Sequence, residues 1–69
     1  MKQLTCLTVY PNLKKLRLEF SDNSWPLVQT YEDWRTTIKV IAELRTQYDD
    51  YLVQDVVTGL SYRAGRNIK

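Results

Sequence analysis

Residues 30–48 read TYEDWRTTIKVIAELRTQY, and the fold class turns on them. Thr30-x-x-Asp33 resembles a capping box with Asp in place of the usual Glu or Gln. Glu32 and Asp33 put negative charge where the helix dipole is positive. On a 100° wheel Trp34, Ile38, Ile41 and Tyr48 share one stripe, with Leu44 beside it, and Arg35, Lys39, Glu43 and Thr46 lie roughly opposite. The pattern predicts one amphipathic helix from Tyr31 to about Tyr48, with Trp34 and Tyr48 as its core anchors. Arg45 falls within the apolar stripe and is expected to snorkel to an edge or to meet a carboxylate. Asp49-Asp50 follows, and negative charge at the C-terminal end of the dipole argues for fraying or termination there.

The flanks are strand-like. Leu4 to Tyr10 carries Thr, Val and Tyr suited to extended backbone, with apolar groups on both alternations. That reads as a strand covered on both sides. Pro11-Asn12 is a turn. Leu13 to Phe20 alternates Leu16, Leu18 and Phe20 with Lys15, Arg17 and Glu19, so one face is buried and the other wet. A polar loop follows, then Trp25-Pro26, and Leu27 to Gln29 reads as a short extended link. After the helix, Tyr51 to Val57 and Leu60 to Ala64 read as strands around a Thr58-Gly59 turn, where glycine supplies positive φ. The expectation is a small two-layer α+β domain, order β-β-α-β-β, with one helix packed on a mostly antiparallel sheet. Residues 1–64 form the single domain and 65–69 a flexible basic tail.

The chain has 69 residues, one cysteine and no histidine. A domain this size buries only about 60% of the surface its unfolded chain exposes, so its stability is marginal. One cysteine forms no internal disulfide, and without histidine no ordinary zinc site can be assembled, so no metal or other cofactor is expected. The first six residues lack the apolar core of a signal peptide, and no apolar run reaches the ~20 residues of a membrane span. With an unpaired cysteine, the expected location is cytoplasmic. A net charge of +2 neither demands nor excludes nucleic acid.

No catalytic constellation is present. The acidic pairs Glu32/Asp33 and Asp49/Asp50 are explained by helix ends, and Cys6 has no histidine base and reads as a core thiol. The chain is therefore expected to be no enzyme. Aromatic and Arg side chains are the types enriched at binding hot spots. Trp25, Tyr51, Tyr62, Arg63 and Arg66 are the candidate partner-binding residues. The basic groups Lys14, Lys15, Arg17 and Arg63, Arg66, Lys69 could merge with Tyr10 or Tyr62 into a strip for nucleic acid if the hairpins lie side by side. The last strand could pair with a partner or with its own copy through a free edge, giving a homo-oligomer. The run Tyr31-Glu32-Asp33-Trp34, its helix and the strand ending at Thr58-Gly59 bear a slight resemblance to small phycobilisome linker domains, over about half of the chain, and no residue role is carried over from it.

These readings point to a small non-enzymatic protein-binding module, an inhibitor, adaptor or accessory subunit of a larger protein or complex. The alternative is a nucleic-acid-binding protein using the basic hairpin residues. With no metal-ligand set and no internal disulfide, the melting temperature should be indifferent to EDTA and to dithiothreitol. A large drop with either reagent, read by circular dichroism, would contradict that.

Overall fold

The computed structural model describes residues 3–22 and 24–67. Its elements in chain order are β1 (Leu4–Tyr10), a 3-10 turn (Pro11–Leu13), β2 (Lys15–Phe20), β3 (Leu27–Thr30), α1 (Trp34–Gln47), β4 (Tyr51–Asp55) and β5 (Ser61–Ala64). The strands form one sheet in the order β3-β2-β1-β4-β5. β1/β2, β2/β3 and β4/β5 pair antiparallel, and β1/β4 pair parallel. The α+β class and the mostly antiparallel sheet agree with the sequence pattern.

Two elements differ from it. Leu27–Thr30 is a strand rather than a link, which makes the order β-β-β-α-β-β. Its backbone satisfies the outer edge of β2, with Lys15 opposite Thr30 and Leu18 opposite Leu27. The strand carries no periodic signature because all four of its residues are exposed. Thr30, held in that ladder, does not cap the helix. Asp33 is the N-cap, and its Oδ1 accepts the Thr36 amide at 2.7 Å. That bond holds the Asp33 carboxyl below its usual range, with the charge of Lys14 a lesser cause.

The helix is also turned about its axis by about half a residue step from the expected stripe. Thr37 and Leu44 are buried against the sheet, with Val40, Ile41 and Tyr48 packed beside them. Trp34 remains 38% exposed and Ile38 49%, so Trp34 is not the core anchor its position suggested. The buried Thr37 hydroxyl donates to the Asp33 carbonyl at 3.1 Å, which removes the penalty of placing it there.

A bulge in β1 resolves the two-faced pattern of that strand. The register skips between Leu4 and Cys6, so Leu4 faces Phe20, Leu7 faces Leu18 and Val9 faces Leu16. Leu4, Leu7 and Val9 thereby reach the helix side together and join Leu16, Leu18, Val53 and Leu44 in one core. Cys6 is turned away from that core and is only half-buried, which corrects its reading as a core thiol. Its Sγ lies 3.9 Å from Thr8 Oγ1 and 3.8 Å from Gln54 Oε1.

The C-terminal segment closes the helix end. The amides of Arg66 and Asn67 donate to the carbonyls of Tyr48 and Asp49 at 2.8 and 3.0 Å. Gly65 sits at φ +132, and a Cβ there would overlap the Asp49 carbonyl and lie 2.8 Å from the Asp50 amide nitrogen. Glycine is thus required both by conformation and by space. Of the segment expected to be a flexible tail, Gly65 to Asn67 make or adjoin these bonds; Ile68 and Lys69 lie outside the described residues.

Tyr51 is fully buried, and its hydroxyl has no hydrogen-bond partner among the described residues. Burial pushes its pKa up, partly offset by the charge of Arg45.

Leu44→Ala should cost about 2–5 kcal/mol in urea unfolding, and Trp34→Ala distinctly less, because much of its ring never leaves water. Equal losses would contradict the observed face of α1. Tyr51→Phe should be no less stable than wild type and gain up to about 1 kcal/mol, since it removes an unpartnered buried hydroxyl. Because the Tyr51 pKa is raised in the fold, its contribution is fully present below about pH 10 and lost as pH rises from there towards the native value, the unfolded chain ionising first. Tyr31, also raised by burial, adds to this loss in both proteins, so the Phe variant should fall less steeply with alkali than wild type. A destabilised Phe variant would show that the hydroxyl is bonded, and an alkaline slope equal to wild type would show that burial does not raise its pKa.

Candidate protein-binding surface

The sheet face opposite α1 carries no covering element among the described residues, and the strand register lays out its side chains. Val28, Arg17, Thr8, Gln54 and Ser61 stand in one row across the sheet. Glu19, Cys6, Leu52 and Arg63 form the next, and Thr30, Lys15 and Tyr10 stand together on the other side of the first. Lys15 reaches its place because the 3-10 turn ends on Lys14 in left-handed backbone, φ 50, which reverses the chain directly into β2.

On this face Tyr10, Lys15, Arg17, Pro26 and Val28 line a cleft of about 310 Å³. Lys15 Nζ lies 4.7 Å from the centroid of the Tyr10 ring, a cation–π contact that leaves the ammonium in solvent reach. Arg17 Nε is 3.7 Å from Glu19 Oε1, with both side chains 44% exposed. At that length and exposure the pair is weak and open to exchange. Trp25 stands at the approach to β3 and is 93% exposed. The loop before it is shaped by the Ser24 amide donating to Asp22 Oδ1 at 3.1 Å. Proline at 26 keeps Trp25 out of helical geometry.

The other candidate residues separate into distinct groups. Tyr62 is half-exposed on β5. Tyr51, expected at a binding surface, is buried because it falls on the helix-facing alternation of β4 with Val53. Arg63 Nε donates to Asp50 Oδ1 at 2.7 Å, and Arg66 Nε to Asp49 Oδ1 at 2.8 Å. The two carboxylates that looked misplaced at the helix end are therefore matched by arginines from the returning chain. The bond to Asp50 also holds the Arg63 guanidinium more firmly protonated.

The two basic groups do not merge into one strip. β1 and β4 lie between β2 and β5, which sets them about 14 Å apart at ~4.8 Å per strand. Lys69 lies outside the described residues. Among the described residues no three His, Cys, Asp or Glu gather as metal ligands. Sequence reasoning missed Pro26 and Val28 as cleft walls. The signal available was the β-branched character of Val28 after Leu27, directly following a proline.

No protein-family model, curated protein or solved structure matches the chain, so the slight phycobilisome-linker resemblance gains no support.

Proposed function

We propose that the chain is a small non-enzymatic protein-binding module, acting as an inhibitor, adaptor or accessory subunit of a larger protein. The observation that carries this reading is the 93% exposed Trp25 beside a wholly exposed edge strand and an aromatic-basic cleft. Solvating a full indole is unfavourable, and Trp, Tyr and Arg supply most hot-spot energy at interfaces. Tyr62 on the opposite edge strand offers a second contact. A homo-oligomer built through an edge strand falls within the same reading. No described helix is long and apolar enough to cross a membrane, and a cytoplasmic location is proposed with the unpaired Cys6.

Nucleic-acid binding is the second reading. Lys15 stacked on Tyr10, with Arg17 and Lys14 nearby in sequence, favours it. The internal pairing of Arg63 and Arg66 weighs against it, since those cations are already matched by carboxylates.

The test is affinity capture from nuclease-treated lysate by wild type and by Trp25→Ala. A protein partner should survive nuclease, and its affinity should fall by about 2 kcal/mol or more in the variant if Trp25 is a hot spot, with circular dichroism unchanged. Capture that disappears on nuclease treatment would favour the second reading.

A further inference from the structure

We propose that the free edge of β3 accepts an extended acidic segment of a partner protein as an added strand, with a carboxylate side chain reaching over Val28 into the cleft of Tyr10, Lys15 and Arg17. The inference rests on the protein-binding reading above and specifies the partner's chemistry.

The edge itself comes first. β3 is paired on one side with β2 and stands last in the sheet. Its residues Leu27–Thr30 are uncharged and all exposed. Natural edge strands are commonly guarded by charge, proline or a bulge. β3 has proline only before its first residue, and no charge. The opposite edge differs, because β5 carries Arg63, tied back to Asp50 at 2.7 Å.

Charge then selects the occupant. Among the described residues no carboxylate pairs with Lys15, whose ammonium rests on the Tyr10 ring. Among the same residues Arg17 has only the long, exposed contact to Glu19. At the β5 end the arginines are compensated, so among the described residues of the strands the open cations are those of β2. A strand added to β3 would lie about 10 Å from β2. Its outward side chains on the open face would stand beside Val28 and Thr30, which are short. A Glu on that strand and the long side chains of Lys15 or Arg17 together span the gap. Because strand side chains repeat every second residue, acidic residues at alternate positions of the partner would meet the cleft.

A strand also suits the site better than a phosphate backbone. The edge offers both amide donors and carbonyl acceptors, and a peptide answers both. A phosphodiester chain brings no donors, and two open cations provide few phosphate contacts.

The experiment uses the whole chain and a capped peptide of about nine residues, the length of a long strand, alternating glutamate with valine and threonine. Binding is followed by amide chemical shifts and hydrogen exchange. The expected result is slowed exchange in β3, with affinity falling at least about tenfold in Lys15→Glu/Arg17→Glu, circular dichroism remaining unchanged. N-methylation of the peptide on alternate amides should abolish binding in one of its two registers. Equal binding of a lysine-for-glutamate peptide, shifts confined to β5, or binding of oligothymidylate in place of the acidic peptide would each overturn the proposal. If the acidic peptide fails to bind while a nuclease-resistant partner still depends on Trp25, the acidic-strand inference is wrong and the protein-binding reading stands. If neither binds, both fall.

Discussion

The parallel pairing of β1 with β4 is the constraint on which the rest depends. Cys6 to Val9 run beside Leu52 to Asp55 in the same direction. Two parallel neighbours cannot be joined by a tight turn, so the intervening chain must return to the start of the sheet before β4 begins. Helix α1 makes that return and covers one face while doing so. The Val56 amide extends the joint by donating to the Val9 carbonyl at 3.1 Å. With β1 and β4 central, each can add its antiparallel partners only outward. β3 and β5 become the edges for that reason, and both are short.

Burial follows the same geometry. The helix side of the sheet takes Leu7, Leu16 and Tyr51 essentially out of water, and the bulge at Thr5 brings Leu4 to that side. A domain this small has few residues to commit to a second layer. The opposite face is left to Thr8, Cys6, Leu52 and Gln54 along its middle, with longer polar side chains around them. A sheet so built is antiparallel at both ends and wet on one face, which such sheets tolerate.

The two sides of the molecule also become electrostatically unequal. Near β5, Arg63 and Arg66 cancel the carboxylates of Asp50 and Asp49 where the helix ends. These pairs are exposed and contribute little to stability; their consequence is a neutralised surface. Gly65 makes the arrangement possible, since the chain must pass against the Asp49 carbonyl for Arg66 to reach Asp49. On the β2 side no comparable acid meets Lys15 among the described residues. Lys15 thus stands uncompensated on the open face, whereas Arg63 and Arg66 do not.

Elements whose signals are local are legible in the residues alone. Alternation in Lys15–Phe20 specified a half-buried strand, the apolar spacing from Trp34 to Tyr48 specified a helix, and Thr58-Gly59 specified a turn, with Gly59 at φ 76 as a tight reversal needs. Whether Trp25, next to proline, lids the core or projects is not legible in the local sequence, and the structure leaves it exposed. Features that depend on distant partners are not legible there either. Leu27–Thr30 becomes a strand only because β2 offers it an edge, and that strand withholds Thr30 from the helix cap. The face of α1 is set by the sheet beneath it, which prefers Thr37 and Leu44 and leaves Trp34 half in solvent. Tyr51 is buried and Arg63 paired because strand order, invisible in local pattern, fixes which face and which neighbour each residue meets. Local propensity acts over a few residues; pairing between β1 and β4 acts across more than forty positions of chain, and no short-range pattern encodes it.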